Sequence, residues 1–178
     1  MYRSVRLRGV ALALALAAFA AMASAAGAAA RQQATVLEGD DLTRVVPTGF
    51  YFEKQSAPTQ MRNTAAVQWG RGGRARLVVA GLVDTSGYST EVQAKYQGFF
   101  ITDSPVFVGG RRLATGAYGF GFDGRGRINI FDISGARILS GLASKDRDIQ
   151  RPRPLMMTND AGQVRLYSGR DYAVLSIR

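Results

Sequence analysis

The sequence has 178 residues and a formal net charge of +10, and it contains neither cysteine nor histidine. These absences exclude disulfides, Ser-His-Asp and Cys-His nucleophile systems, and metal sites built on His or Cys ligands. The chain also lacks the motifs G-x-S-x-G, S-x-x-K and the Walker loop, so any catalysis must use carboxylates, tyrosine, lysine or arginine.

Residues 1–30 predict a secretory signal peptide. Arg3, Arg6 and Arg8 precede an uncharged run from Val10 to Met22, and small residues with A-x-A cleavage sites follow in "ASAAGAAA". A membrane anchor is the alternative, but a span takes about 20 apolar residues. We therefore predict export to the periplasm or the outside, with no transmembrane segment in the mature chain.

Residues 31–44 are polar, with one short apolar run, and predict a flexible lead-in. From residue 45 onwards, short apolar or aromatic runs alternate with turn sequences such as "DGRG", "NDAG" and "SGRD". A stretch of this length is enough for one hydrophobic core, so residues 45–178 are predicted to form a single domain.

The spacing of these runs predicts strands. They cover residues 49–53, 64–69, 75–83, 96–102, 116–122, 127–133, 136–143, 154–158, 163–167 and 171–177. Short strands separated by tight turns are typical of a meander that closes into a barrel or folds into a sandwich. We predict an all-β domain with a single antiparallel β-barrel or sandwich of about 8–10 short strands.

Residues 54–63, "KQSAPTQMRN", predict a polar loop beside aromatic side chains of neighbouring elements. Amide and guanidinium donors next to a ring suit a sugar or another small polar ligand. The predicted ligand-binding residues are Gln55, Gln60, Arg62, Asn63, Trp69 and Tyr88. The alternative is an ordinary loop whose polar groups bond to one another.

The best group of carboxylates is Asp84, Glu91 and Asp103. Two carboxylates about 5–10 Å apart can act as acid and base on a glycosidic bond, which makes a glycan hydrolase the rival hypothesis. Asp84 could instead close the preceding strand through an Asx turn, with Glu91 solvated. The spacing does not match a calcium loop, and we predict neither a metal nor a cofactor.

Residues 89–96, "STEVQAKY", allow two interpretations. Glu91 and Lys95 have the i,i+4 spacing of a helical ion pair, whereas Thr90, Val92 and Tyr96 belong to a strand-like alternation. Because threonine and valine favour strands, we prefer the strand and keep the helix as the alternative.

Gly119, Gly121 and Gly124 have the spacing G-x-G-x-x-G of a nucleotide-binding loop. That loop must open a helix, whereas "RGRINIFDI" follows here, with the alternation of a strand. The glycines therefore predict a sheet with aromatic side chains on one face and a nearly bare opposite face. Either a large ring packs over that face, or a ligand lies against it.

Cleavage after residue 30 removes three arginines and lowers the net charge from +10 to +7. A basic domain attracts anionic partners such as acidic polysaccharide or another anionic envelope component. Most of the arginines stand in turn sequences such as "GRGGRAR" and "DGRGR", where a charge is readily solvated. An exported protein rarely meets a genome, so we predict no nucleic-acid partner.

Together these features favour a non-catalytic binding or envelope-interaction module, with residues 54–63 and 84–95 as its contact surface. Two alternatives remain at this point. One is the carboxylate-based glycan hydrolase. The other is a structural or assembly protein that pairs with its partner through an exposed edge strand at residues 171–177.

Overall fold

The computed structural model describes residues 33–70, 72 and 75–177. Its strands are β1 (Ala34–Leu37), β2 (Gly49–Phe52), β3 (Gln55–Trp69), β4 (Arg76–Val83), β5 (Gly98–Thr102), β6 (Val106–Val108), β7 (Arg111–Leu113), β8 (Gly116–Phe122), β9 (Arg127–Phe131), β10 (Arg137–Leu142), β11 (Ser144–Lys145), β12 (Met156–Asp160), β13 (Gln163–Ser168) and β14 (Asp171–Ser176). Its helices are α1 (Gly39–Val45) and α2 (Thr90–Lys95). The predicted signal peptide lies outside the described residues.

The strands form two antiparallel sheets. The larger sheet has the order β1-β3-β4-β5-β8-β9-β10, with β2 paired to β3, and the smaller has the order β12-β13-β14-β6-β7, with β11 paired to β14. The predicted antiparallel, mostly β architecture is confirmed. The barrel alternative is wrong, because the two sheets do not close on each other and instead enclose a core as in a sandwich.

Alternation along the strands builds this core. In the larger sheet, Ile128 and Ile130 of β9 and Phe120 of β8 are fully buried. Leu166 of β13, in the facing smaller sheet, is fully buried as well. Fully burying such a side chain stabilises the fold by about 1.5–3 kcal/mol. The two-residue period seen in the sequence therefore determines which face of each strand meets the other sheet.

A second apolar cluster lies on the outer face of the larger sheet, where β2, α1 and α2 cover it. Phe52 of β2 stacks on Tyr96 at 3.9 Å between ring centroids, and Phe99 of β5 packs below them. Part of the larger sheet is thus covered on both faces. The remainder of its outer face, at β8, β9 and β10, borders the surface clefts considered below.

The glycines of β8 serve this outer layer. The ring of Phe52 packs directly over Gly119, and the carbonyl of Lys95 approaches Gly121 so closely that a Cβ would collide with it. The opposite face carries buried Phe120 and Phe122. The aromatic-faced strand is confirmed, and a ring and a helix end fill the bare face, so no ligand lies against those glycines.

The described part of the lead-in predicted for residues 31–44, from residue 33 onwards, is instead built into the fold. β1 pairs with β3, with Ala34 opposite Trp69, and α1 follows at Gly39. The side chain of Asn159 donates to the carbonyl of Ala34 at 2.6 Å and ties β1 to the smaller sheet. The short apolar run was sufficient for a strand because β3 offers an edge for it to pair with.

The polar loop predicted for residues 54–63 is also wrong, because residues 55–69 form one continuous strand. Its first part pairs with β2 and its second part with β1 and β4, and the register with β4 shifts between Thr59 and Thr64. Such an irregularity bends a strand and leaves residues without partners. Gln60 and Arg62 are therefore exposed strand positions, whereas Thr59 is buried.

Residues 89–96 contain a helix, so the preferred strand prediction is wrong and the alternative is confirmed. The hydroxyl of Ser89 accepts a hydrogen bond from the amide of Val92 at 3.3 Å and caps α2. Val92 and Tyr96, one turn apart, are both buried against the outer layer. This cap and the shared apolar face outweigh the weak strand propensity of threonine and valine.

The strand near the C-terminus is not an exposed edge. β14 pairs with β13 on one side and with β6 and β11 on the other. Residues 171–177 therefore have no free row of backbone groups with which to pair a partner. Among the described residues, no helix has the length and apolar character needed to cross a bilayer.

Candidate functional site

A groove of about 550 Å³ opens where three elements meet: the β2–β3 turn, α2 and the β9–β10 turn. Its lining residues are Tyr51, Glu53, Lys54, Ser89, Glu91, Val92, Lys95, Ile133 and Ser134. It combines exposed apolar side chains, hydroxyl groups and charges of both signs. This composition is typical of sites that orient a polar ligand on an apolar floor.

The β2–β3 turn consists of Glu53 and Lys54, both with positive φ, at 45° and 69°. Two-residue hairpin turns require this conformation, which asparagine and glycine adopt at lower cost than glutamate or lysine. The amide of Glu53 donates to the carbonyl of Ile133 at 2.9 Å. This bond joins the β2–β3 turn to the β9–β10 turn and fixes two walls of the groove relative to each other.

The carboxylate of Glu53 is held from two sides. Lys95 of α2 forms an ion pair with it at 3.0 Å, and the carboxylate packs against Gly135, where any Cβ would collide with it. The Lys95 ammonium also lies 5.9 Å from the ring centroid of Phe131. Lys95 therefore connects α2 with both turns, and the ion pair lies at the side of the groove.

The β9–β10 turn is rigid because Asp132 organises it. Its Oδ1 accepts hydrogen bonds from the Ser134 hydroxyl at 2.7 Å, the Ser134 amide at 2.9 Å and the Ala136 amide at 3.1 Å. The Ser134 hydroxyl, with smaller contributions from the backbone amides, holds the pKa of Asp132 below its ordinary value. The turn presents Ile133 to solvent with half of its surface exposed.

Tyr51 supplies the aromatic surface of the groove. In β2 the side chains of Phe50 and Phe52 point into the outer layer, so the intervening Tyr51 points outward and is 50% exposed. An exposed ring and an exposed isoleucine therefore lie in one groove beside the Glu53–Lys95 ion pair. They are useful for a domain that binds.

The six predicted ligand-binding residues do not come together. Trp69 is buried in the core between the sheets, whereas Tyr88 is buried in the outer layer on the opposite face of the larger sheet. Gln60 donates to the carbonyl of Val83 at 3.0 Å and accepts from Asn63 at 2.8 Å. The backbone carbonyl of Gln55 accepts a hydrogen bond from the Tyr88 hydroxyl at 3.2 Å. Arg62 is exposed, and none of the six lines the groove.

Asp84 and Asp103, two of the three predicted carboxylates, lie at opposite ends of β4. Asp84 follows the C-terminal end of β4, and Asp103 accepts from the amide of Leu77 near the other end of that strand. Eight residues of strand place them roughly 20–25 Å apart. Asp84 accepts from the amide of Ser86 at 3.0 Å, as in the Asx turn considered above. Glu91 alone lines the groove.

The sequence predicted some of the residues that line the groove but missed others. Lys54 and the helix residues belong to the predicted contact segments 54–63 and 84–95. The predicted site residues did not include Tyr51, Glu53, Ile133 or Ser134. Two of these residues stand in sequence patterns that could have indicated an exposed apolar side chain. Tyr51 is an aromatic residue at an outward position of its strand, and Ile133 is an isoleucine inside a turn sequence, "DISG".

The sequence matches no protein-family model and no curated protein, and the fold matches no solved structure at a significant level.

Proposed function

We propose that this protein is an exported, non-catalytic binding module that holds a saccharide in the groove between the β2–β3 turn, α2 and the β9–β10 turn. The observation that carries the proposal is the exposed pair Tyr51 and Ile133 beside the Glu53–Lys95 ion pair. Sugars have apolar C–H faces and hydroxyl groups around their edge. A groove with an apolar floor and polar walls matches both features.

The size and rigidity of the groove support binding of a small ligand. Its volume of about 550 Å³ is within the range of about 300–1,000 Å³ for small-molecule sites. The Glu53–Ile133 backbone bond and the Asp132 turn fix its walls before a ligand arrives. A preformed site loses less conformational entropy on binding than a mobile one.

Titration calorimetry with two probes tests the proposal. The probes are a galacturonate hexamer and the same hexamer fully methyl-esterified, which has no charge. We expect Tyr51→Ala to weaken binding of the better probe at least about tenfold, because it removes the ring on which the sugar rests. Met61→Ala is the matched control, since Met61 is 43% exposed but lies outside the groove.

Equal affinities of Tyr51→Ala and the unaltered protein for both hexamers would refute the groove as the binding site. Absence of binding to either hexamer by the unaltered protein would refute saccharide binding of this class. Thermal unfolding of each variant distinguishes loss of the site from loss of the fold.

A glycan hydrolase remains a second candidate because two carboxylates, Glu53 and Glu91, line the groove. Glu53 is already occupied by Lys95 at 3.0 Å, which is why binding is the preferred proposal. Incubation with both hexamers and assay of new reducing ends separates the two functions. We expect no turnover; turnover that Glu91→Gln abolishes would establish the hydrolase instead.

A further inference from the structure

Two further clefts continue from the groove across the outer face of β8, β9 and β10. The first, of about 400 Å³, adjoins the groove because Lys95 lines both. The second, of about 710 Å³, adjoins the first because Asp123, Asn129 and Arg137 line both. The groove and the two clefts are therefore neighbours along one face of the larger sheet.

Four arginine side chains line the two clefts: Arg111, Arg125, Arg127 and Arg137. We call these the arginine clefts. Within the part of the chain that the structure describes, none of the four guanidinium groups has a carboxylate within ion-pair distance. Like charges held together without a counter-charge repel one another, and a bound anion relieves that repulsion.

The carboxylate of Asp123 offsets only one of these four positive charges. Its Oδ1 accepts from the backbone amides of Arg125 at 2.8 Å and Arg127 at 3.1 Å, so it shapes the β8–β9 turn. Asp123 is the only acidic residue among the described residues that line the arginine clefts. The clefts are therefore strongly positive.

The fold brings these arginines together from separate elements. Arg127 and Arg137 are the first residues of β9 and β10, and Arg111 is the first residue of β7 in the other sheet. Gly109 holds the two sheets together here, since its carbonyl accepts from the amide of Leu142 at 2.9 Å. A Cβ at Gly109 would collide with that backbone, so only glycine permits this junction.

The uncharged side chains that line the larger cleft are those of Asn129, Ser140 and Leu142, the last of which is 64% exposed. Ser140 and Asn129 are directly paired across β10 and β9, and both line the cleft. The Oδ1 atom of Asn129 is buried and has no hydrogen-bond partner among the described residues. Hydroxyl and amide groups match the hydroxyl groups of a sugar, and guanidinium groups match carboxylates, to which they bind in a planar, bidentate geometry.

We infer that the arginine clefts bind the carboxylates of an acidic saccharide, so that the ligand is a uronate-containing oligosaccharide running from the groove past Lys95 into the clefts. This inference rests on the proposed saccharide-binding function and adds to it the charge of the ligand. The apolar floor of the groove receives one sugar unit, and the arginines receive the acidic units that follow it.

The lining of the clefts favours a saccharide over the other large anions. Single-stranded nucleic acid stacks successive bases on several exposed aromatic rings, whereas Tyr51 is the only exposed aromatic residue among the described residues that line the groove and the arginine clefts. Phe122 and Phe131 of the smaller cleft are buried. Peripheral membrane binding uses a protruding apolar face, whereas these surfaces are concave.

Titration with the same two hexamers tests the inference. We expect the galacturonate hexamer to bind at least tenfold more tightly than its uncharged ester. The double variant Arg127→Gln with Arg137→Gln should abolish that preference. Arg112→Gln is the matched control, because Arg112 is the exposed neighbour of Arg111 and lines neither cleft, and it should change the affinity less than twofold.

Each outcome separates this inference from the proposed function. Equal affinity for both hexamers, with Tyr51→Ala still weakening them, overturns the acidic ligand and leaves saccharide binding in place. Arginine-dependent binding that Tyr51→Ala does not change overturns the groove and leaves the clefts. Tighter binding to single-stranded DNA or to phosphatidylglycerol vesicles than to the hexamer overturns the saccharide assignment.

Discussion

At the residue scale, two tyrosines of the outer layer differ in their hydrogen bonding. Tyr88 donates to the carbonyl of Gln55 at 3.2 Å. The hydroxyl of Tyr96 is buried and has no hydrogen-bond partner among the described residues. Burial raises the pKa of Tyr96, so its hydroxyl stays protonated while it loses its bond to water.

We expect opposite effects when each hydroxyl is removed. Tyr96→Phe should keep or raise the free energy of unfolding by about 1 kcal/mol, because it deletes an unpaired buried group, while Tyr88→Phe should lower it by about 0.5–1.5 kcal/mol. Urea denaturation of both variants measures the difference. A larger loss for Tyr96→Phe than for Tyr88→Phe would mean that the Tyr96 hydroxyl is in fact bonded.

The close approach of α2 to β8 gives a second residue-scale prediction. Gly121→Ala places a methyl group against the Lys95 carbonyl, and overpacking of this kind costs about 1–3 kcal/mol. Gly87→Ala is the control, since no atom lies within 4 Å of a Cβ at that position. Thermal unfolding should separate the two variants, and equal midpoints would contradict the contact.

The charge-assisted bonds of Asp132 give a pH dependence with a definite sign. Because the Ser134 hydroxyl lowers the pKa of Asp132 from its ordinary 3.8, the folded state favours the carboxylate. Its contribution is present above pH 3.8 and is lost as the pH falls through the lower folded value. The difference in thermal midpoint between the unaltered protein and Ser134→Ala should therefore be full at pH 6 and shrink below about pH 4. A difference that persists unchanged at low pH would argue against an ionised acceptor.

At the element scale, α2 shows what holds one wall of the groove. It has six residues, too few to be stable alone, so it depends on its cap and on packing against the sheet. Ser89→Ala should lower the free energy of unfolding by about 1 kcal/mol. It should also weaken binding of the hexamer, because Glu91 and Lys95 lose their fixed positions. Unchanged binding in a destabilised variant would show that α2 is not part of the site.

The bounds of the elements show how much of the fold the sequence alone predicts. Most interior strands were predicted close to their observed bounds, because their apolar residues alternate between glycine-rich turns. β6 and β7 were missed, since each has only three residues and β6 joins the rest of the smaller sheet through β14, far along the chain. α2 was assigned as a strand because propensity cannot reveal the aromatic layer that Val92 and Tyr96 enter.

The site was harder to predict than the fold for a physical reason. Glu53 and Ile133 are joined by a backbone bond across eighty positions of sequence, and no local pattern encodes such a contact. Trp69 was chosen for its ring, yet that ring fills the core. The arginines of the clefts are exposed, as predicted for charges in turn sequences. Their shared position beside the clefts could not be predicted, because Arg111 reaches it through the junction of two sheets at Gly109.

At the scale of the whole molecule, both proposed binding surfaces lie on the outer side of the larger sheet. The larger sheet faces a common core on its inner side, and its outer side divides into a covered part and an open part. The groove lies at the boundary between them, and the arginine clefts occupy the open part. Part of the positive charge of the protein thus lies on the four arginines of the clefts beside the groove. This charge can attract an anionic ligand to the groove.

The most direct measurement is an amide chemical-shift titration of the assigned protein with the galacturonate hexamer. We expect the perturbed amides to form one track through Glu53, Lys95 and Ile133 to Asn129 and Arg137. Perturbations confined to Arg62 and Asn63, or scattered over surface arginines without such a track, would contradict the claim that these surfaces form a single binding site.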